Sequence, residues 1–199
     1  MRIGLMLGVM TLAATAASAQ SPQQLFESGQ LGPAVQAIAQ HREQGQETAA
    51  ESYLEGLIHV KLNQPGEARE AFSRLSSQGG EAWAPVQASA LALLDGDNGA
   101  ARDAAQQAAG SAPDLPQAHY QLGTVLARFE EWAGSAEAFH QAARLDPNFA
   151  YAHYFAGLAY SRAGRADRTS EHFERFLKLA PKAPERPAVE TLMRTLRGR

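Results

Sequence analysis

The sequence contains no cysteine among its 199 residues. Disulfide bonds, thiolate metal sites and lipidation of a cysteine are therefore excluded together. An excess of positive charge is also absent, because 18 Lys and Arg stand against 21 Asp and Glu. Since nucleic acid binding requires clustered cations that neutralise phosphates, we expect no nucleic acid partner.

The sequence signatures of catalysis and of metal binding are absent as well. There is no Gly-x-x-x-x-Gly-Lys-Ser/Thr phosphate loop, no Gly-x-Ser-x-Gly turn and no His-Glu-x-x-His helix. The stretch 95–99 begins like a calcium loop, but Gly99 stands where an oxygen ligand is required and Gln106 replaces the closing glutamate, so we interpret it as a turn. We therefore expect a non-catalytic protein without a cofactor, with no catalytic, cofactor-binding or metal-binding residues.

A long apolar run is present at the N-terminus, where Arg2 precedes residues 3–13 and the small residues 17–19 follow. This arrangement is typical of a secretory signal peptide and predicts cleavage after Ala19, which makes the mature chain periplasmic or secreted. Thr11 lies within the run and Thr15 follows it, and the run falls short of the ~20 apolar residues that a membrane span requires. We expect no integral span in the mature chain, and a retained N-terminal anchor is the alternative.

Internal repetition with a period of 34 residues is the most informative pattern in the chain. The repeated pairs are Gly123 and Gly157, Phe139 and Phe173, Leu145 and Leu179, and Pro147 and Pro181. A period of this size indicates stacked structural repeats, each of which is one supersecondary unit. The predicted organisation is a signal peptide at 1–19, a partial unit at 20–48, units at 49–81, 82–115, 116–149 and 150–183, and a C-terminal segment at 184–199.

These units resemble the tetratricopeptide-repeat (TPR) family, whose first helix carries Leu-Gly and whose second helix carries Ala-x-x-x-Phe before a closing proline. The best matches are Leu122-Gly123 with Phe139, and Gly157 with Phe173. The family's Trp column departs from the pattern and holds Ser52, Pro85, His119 and His153. The resemblance implies an all-α fold, a right-handed superhelical solenoid of antiparallel helix pairs over residues 20–183.

At the positions where paired helices should touch, the first helix carries a small residue and the second helix usually carries an aromatic residue. The small-residue column holds Gly56, Ser89, Gly123 and Gly157, and the aromatic column holds Phe72, Ala105, Phe139 and Phe173. We expect the aromatic rings to fill the space that the small residues leave. Residues 184–199 should form a capping helix with a basic tail, because Pro187 is a typical helix start and the cations complement the helix dipole. Contact of this tail with anionic lipid is the alternative.

Histidines one period apart prompt a metal hypothesis, since His119 and His153 would lie on adjacent units. Both stand in the column where the family places tryptophan, and no carboxylate recurs beside them. We interpret them as partly buried aromatic substitutes.

The resemblance implies that the first helix of each unit lines a concave surface that binds a protein or peptide. On this surface we predict an aromatic strip bordered by cations, which suits an extended peptide. The predicted partner-binding residues are Tyr53, Lys61, Trp83, Tyr120, Arg128, Tyr151, Tyr154 and Arg162. The predicted function is a protein–protein interaction scaffold of the cell envelope. The alternative is a self-assembling envelope component, because Leu25 and Phe26 lie near a truncated end.

Overall fold

The computed structural model describes residues 20–198, and the predicted signal peptide lies outside them. The regular structure of the described residues is helical throughout, with one 3-10 turn at Gly80–Ala82. The α-helices are α1 (Pro22–Glu27), α2 (Leu31–Glu43), α3 (Ala49–Lys61), α4 (Pro65–Ser73), α5 (Leu75–Gly79), α6 (Ala84–Asp95), α7 (Asn98–Ser111), α8 (Pro116–Arg128), α9 (Trp132–Leu145), α10 (Ala150–Arg162), α11 (Ala166–Leu179) and α12 (Arg186–Arg197). The predicted all-α fold class is confirmed.

In each pair, the turn that joins the two helices contains one residue in the left-handed backbone conformation. These residues are Gly29, Asn63, Gly96, Glu130 and Gly164, with φ between 57° and 77°. Their spacing follows the sequence repeat, so the partial unit at the N-terminus turns in the same way as the complete units. Asn63 and Glu130 adopt a conformation that is easier for glycine, which indicates that the packing of the paired helices determines the turn.

Glycines of the first helices contact phenylalanines of the second helices, as the sequence predicts. A Cβ atom built on Gly56, Gly123 or Gly157 would lie 2.2, 2.8 or 2.6 Å from the paired ring, which belongs to Phe72, Phe139 or Phe173 respectively. In the unit without the aromatic residue, Ser89 Oγ donates to the Ala101 carbonyl at 2.9 Å. A hydrogen bond also joins the equivalent positions of the next unit, where Ser135 Oγ donates to the Gly123 carbonyl at 2.8 Å.

The C-terminal helix α12 covers the end of the solenoid. Val189 and Met193 are 2% and 6% exposed and pack in one cluster with Phe173 and Phe176. Pro187 lies in the first turn of α12, as the sequence predicts. No helix within residues 20–198 is long and apolar enough to cross a membrane.

A partly buried ion cluster joins the first two units. Glu47 and Glu55 have side chains that are only 5% and 7% exposed. Arg42 Nε donates to Glu47 at 2.9 Å, and Arg42 and Arg74 both pair with Glu55. Although burial acts to raise the pKa of Glu47, hydrogen bonds from Arg42 and Ser52 hold this pKa below its ordinary value. The Glu47 carboxylate therefore keeps its cationic partners Arg42 and Arg74.

Candidate partner-binding surface

The helices α3, α6, α8 and α10 are the first helices of their units, and we call their common surface the first-helix face. The sequence predicts an open aromatic strip here, but Tyr53, Trp83, Tyr120 and Tyr151 are only 2%, 8%, 5% and 3% exposed. Tyr154 is half-buried. The Tyr53 ring lies edge-on to Tyr120 with centroids 6.3 Å apart, and Trp83 lies 6.1 Å from Tyr53. These rings belong to the core, so their contact with a partner stays a prediction.

Polar groups in the core satisfy the hydroxyl of the buried Tyr53. Tyr53 Oη donates to Gln121 Oε1 at 2.7 Å, and Gln121 Nε2 donates to Ser89 Oγ at 3.0 Å. Burial raises the pKa of Tyr53 well above its ordinary value, so the hydroxyl stays protonated and remains a donor. Gln121 was not predicted as a functional residue, because a glutamine on a helix gives no sign that it will be buried.

The N-terminal helix α1 closes over the first-helix face of the last repeat unit. The Phe26 ring lies 4.7 Å from the Tyr151 ring, and Lys61 Nζ lies 5.8 and 5.6 Å from these two rings. Lys61 Nζ also pairs with Glu185 at 2.7 Å, and the Tyr151 hydroxyl donates to the same carboxylate at 2.8 Å. The two ends of the solenoid therefore meet around Tyr151.

This closure changes the basis of the self-assembly hypothesis. Phe26 is only 6% exposed and Leu25 is half-buried, so the apolar end that motivated end-to-end assembly is covered within the chain. Self-association stays an untested prediction.

Glu27 holds α1 against the start of α10. Its carboxylate accepts the Ala150 amide and the Gln23 side chain, the latter at 2.7 Å. The helix α10 has no side-chain cap at its own N-cap residue, Phe149, so Glu27 supplies an acceptor for one of its open amides. Burial raises the pKa of Glu27, and the nearby charge of Asp146 raises it further.

The three predicted cations do not border one strip. Lys61 binds Glu185 at the closure, while the Arg162 guanidinium lies 5.6 Å from the Trp132 ring. Arg128 is exposed and lies at an open groove. Of the three, Arg128 is the cation positioned to meet a ligand in that groove.

An open apolar groove crosses the C-terminal parts of α3, α6 and α8, and we call it the α3–α8 groove. Its volume is about 210 Å³, and it is lined by Leu57, Val60, Phe72, Ala90, Leu93, Leu94, Gln121, Thr124 and Arg128. Val60 is 48% exposed and lines this groove, so it extends the apolar surface of the groove to the solvent. Sequence reasoning named Arg128 but not Val60.

A second cavity lies beneath α1, and we call it the α1 cavity. Its volume is about 240 Å³, and it is lined by Gln23, Phe26, Ala50, Tyr53, Leu54, Leu57, Gln117, Tyr120, Asp146, Asn148, Phe149 and Tyr151. Ala50 and Asn148 are exposed and form part of its rim. Three of the predicted residues, Tyr53, Tyr120 and Tyr151, thus line a cavity rather than an open strip.

Three histidines form a chain between α9, α10 and α11. His140 Nδ1 lies 3.1 Å from His172 Nε2, and His153 Nδ1 lies 3.1 Å from His172 Nδ1. Because a neutral imidazole donates from one nitrogen and accepts at the other, neutral His172 satisfies both contacts. His119 lies elsewhere, with Nε2 2.8 Å from the Pro113 carbonyl. In the part of the chain that the structure describes, no group of three such side chains could hold a metal ion.

The histidine chain predicts a loss of stability in acid. Burial lowers the pKa of His172 to about 3, and neighbouring charges, including those of His153 and His140, add to the effect. The unfolded chain takes up this proton near pH 6.5 and the folded chain does not. Stability is therefore complete above pH 6.5 and falls by up to about 1.4 kcal/mol per pH unit below it. Urea unfolding between pH 7.5 and 5 should show this slope, and His172→Phe should flatten it.

A histidine that is not one of these three supplies the control for this prediction. His59→Phe on α3 replaces an imidazole that contacts Gln64 at the surface, and it should keep the wild-type pH profile. An unchanged slope in His172→Phe would show that other groups cause the acid sensitivity.

Comparison with known proteins agrees with the repeated helix pairs. A tetratricopeptide-repeat family model matches residues 120–184. The sequence matches none of the curated proteins with which it was compared. Similar solved structures include MamA of AMB-1, with a TM-score of 0.47 and 17% identity over 84% of this chain and 92% of that one. MamA from Desulfovibrio magneticus RS-1 has a TM-score of 0.47 and 20% identity over 79% and 90%. YrrB, described as a TPR protein with an unusual peptide-binding site, has a TM-score of 0.45 and 20% identity over 80% and 83%.

The helix pairs, the periodic turns and the Gly–Phe contacts define an all-α repeat solenoid. The tetratricopeptide-repeat family model matches the two units of this solenoid that lie within residues 120–184. Proteins of this family are in general protein–protein interaction scaffolds, and their repeats are typically non-catalytic.

Proposed function

We propose that this protein is a cell-envelope scaffold that binds a protein partner in the α3–α8 groove. The observation that carries the proposal is the groove itself, an apolar surface on the first-helix face beside the exposed side chain of Val60. Export rests on the signal-peptide pattern of residues 1–19. The proposal differs from the open tyrosine strip of the sequence prediction, because the described residues that line the groove are mostly aliphatic and include none of the predicted tyrosines.

The lining of the groove indicates the chemistry of the partner segment. Leu57, Leu93 and Leu94 offer apolar contact, and Arg128 is the charged residue among the described residues that line it. A partner segment with apolar side chains and one acidic group would bury its apolar surface against the leucines. Its carboxylate would meet Arg128, which contributes orientation and association rate.

Replacing Val60 by Glu should reduce capture of the partner at least tenfold. The new carboxylate would place a charge against the apolar partner segment, while the exposure of Val60 makes a folding defect unexpected. The test is crosslinking and affinity capture from the native envelope with the full chain carrying a C-terminal tag. The recovered protein should begin at Gln20, which tests export in the same experiment.

Leu62→Glu supplies a matched control. Leu62 follows α3, is 43% exposed and does not line the groove. This variant should capture the partner as the wild type does. Equal capture by Val60→Glu and wild type would exclude the α3–α8 groove as the binding surface.

A further inference from the structure

The α3–α8 groove and the α1 cavity are neighbours on the first-helix face. Leu57 lines both spaces, and the adjacent residues Tyr120 and Gln121 line one each. A single extended segment that lies in the groove can therefore reach the cavity by passing Leu57. This continuity indicates that both spaces belong to one binding surface.

We propose that the α1 cavity takes a tryptophan side chain of the protein partner, and that α1 is a displaceable cover over this pocket. The inference rests on the proposed function, because it extends the partner from the groove into the cavity.

The size and walls of the cavity fit an indole ring. Its volume of about 240 Å³ exceeds the ~150 Å³ that is sufficient to bind benzene in a protein interior. The rings of Tyr53, Tyr120 and Phe149 line it, and aromatic pairs gain stabilisation from edge-on and offset contacts. The ring already at this site is Phe26, which shows that the surroundings accept an aromatic side chain, and open space remains beside it.

The polar residues of the cavity favour indole over a benzyl ring. Gln117, Asp146 and Asn148 all carry side-chain oxygen acceptors and line the cavity. Asp146 Oδ1 accepts the Asn148 amide at 3.0 Å, which leaves its second oxygen for another donor. The indole N–H is a donor only and usually finds an acceptor when it is buried. Phenylalanine has no such donor. A side chain that uses both the aromatic walls and the oxygen acceptors of the cavity is therefore tryptophan.

The cover is held weakly enough to be displaced. The helix α1 has only six residues, and a helix this short is unstable without its tertiary contacts. Its contacts here include the Phe26–Tyr151 ring pair and the Glu27 carboxylate, whose pKa is raised by burial. A partner side chain that fills the cavity more completely gains packing that Phe26 does not provide.

The test uses N-acetyl-5-fluorotryptophanamide and fluorine NMR with the chain from Gln20 onward. We expect a dissociation constant on the order of 1 mM, as for a ligand of this size. The 1-methyl derivative, which lacks the N–H donor, and N-acetylphenylalaninamide in competition should bind at least fivefold more weakly. Equal affinity of the three compounds would overturn the assignment to tryptophan.

Two substitutions locate the binding site. Ala50→Phe fills the rim of the cavity from an exposed position and should abolish binding of the probe. Ala100→Phe is the matched control, because Ala100 is also an exposed alanine in the first turn of a helix, and it should bind as the wild type does. Retained binding by Ala50→Phe would exclude the cavity.

Removal of the cover ring tests the displacement. Phe26→Ala should bind the probe at least threefold more tightly, and weaker binding by a variant that keeps wild-type helicity would overturn the role of α1. Hydrogen exchange of the wild type gives an independent measurement, since saturating probe should accelerate exchange of the amides in residues 23–29. Unchanged exchange would show that α1 is a fixed wall.

The test of the tryptophan pocket can fail independently of the test of the proposed function. The probe experiments involve no natural partner, whereas the Val60→Glu capture involves no probe. Loss of partner capture in Val60→Glu together with no probe binding would overturn the pocket alone. Probe binding with unchanged capture would overturn the groove.

Discussion

Replacing Phe139 by Ala should lower the free energy of unfolding by about 3–5 kcal/mol, the range for removal of a buried phenylalanine. Phe139 is 2% exposed, and its ring lies 5.3 Å from Tyr120 and 5.5 Å from Phe155. The substitution therefore leaves a cavity between two repeat units. Urea unfolding followed by circular dichroism measures the loss, which is a large fraction of the ~5–15 kcal/mol that stabilises a typical domain.

A second substitution tests whether the Gly–Phe contact is the cause. In the wild type, Gly123→Ala should destabilise, because its Cβ would lie 2.8 Å from the Phe139 ring. In the Phe139→Ala background, the Cβ added by Gly123→Ala lies in the space that the ring has left. There it should stabilise by up to about 1 kcal/mol, since alanine is the better helix former. An effect of the same sign in both backgrounds would contradict the contact as the origin of the stability.

The sequence predicts those parts of the fold that depend on contacts within a unit. The contact of Gly157 with Phe173 spans one helix pair, and the turn at Gly164 joins the same two helices. Because each unit repeats these short-range contacts, a period in the sequence is sufficient to identify them. The family match over residues 120–184 covers the units in which this period is clearest.

The binding surface is less predictable because it depends on how the units are arranged together. The ring pair of Phe26 and Tyr151 joins residues far apart in the chain, and so does the ion pair of Lys61 with Glu185. These contacts require the superhelix to bring its two ends together. The residue types at one repeat position carry no information about the distance between those ends. The predicted tyrosines were therefore placed on the correct helices, but most of their rings are buried.

Replacing Arg74 by Met should cost about 3–5 kcal/mol, which is the usual effect of removing one partner from a buried ion pair. Glu55 is 7% exposed at its side chain and pairs with both Arg74 and Arg42. Without Arg74, two buried carboxylates, those of Glu47 and Glu55, would share one guanidinium. Their mutual repulsion and incomplete solvation destabilise the folded state, and urea unfolding at pH 7 measures the change.

An exposed arginine on α4, the helix that ends just before Arg74, distinguishes the effect of burial from the effect of charge. Arg69 pairs with Asp95, and the two side chains are 49% and 54% exposed. Arg69→Met should therefore cost less than about 1 kcal/mol, because water replaces the lost partner. The double variant Arg74→Met/Glu55→Leu should recover part of the loss by removing the unpaired carboxylate. Equal costs for Arg69→Met and Arg74→Met would mean that the cluster contributes no more than a surface pair, and that α3 and α4 are held together by their apolar contacts alone.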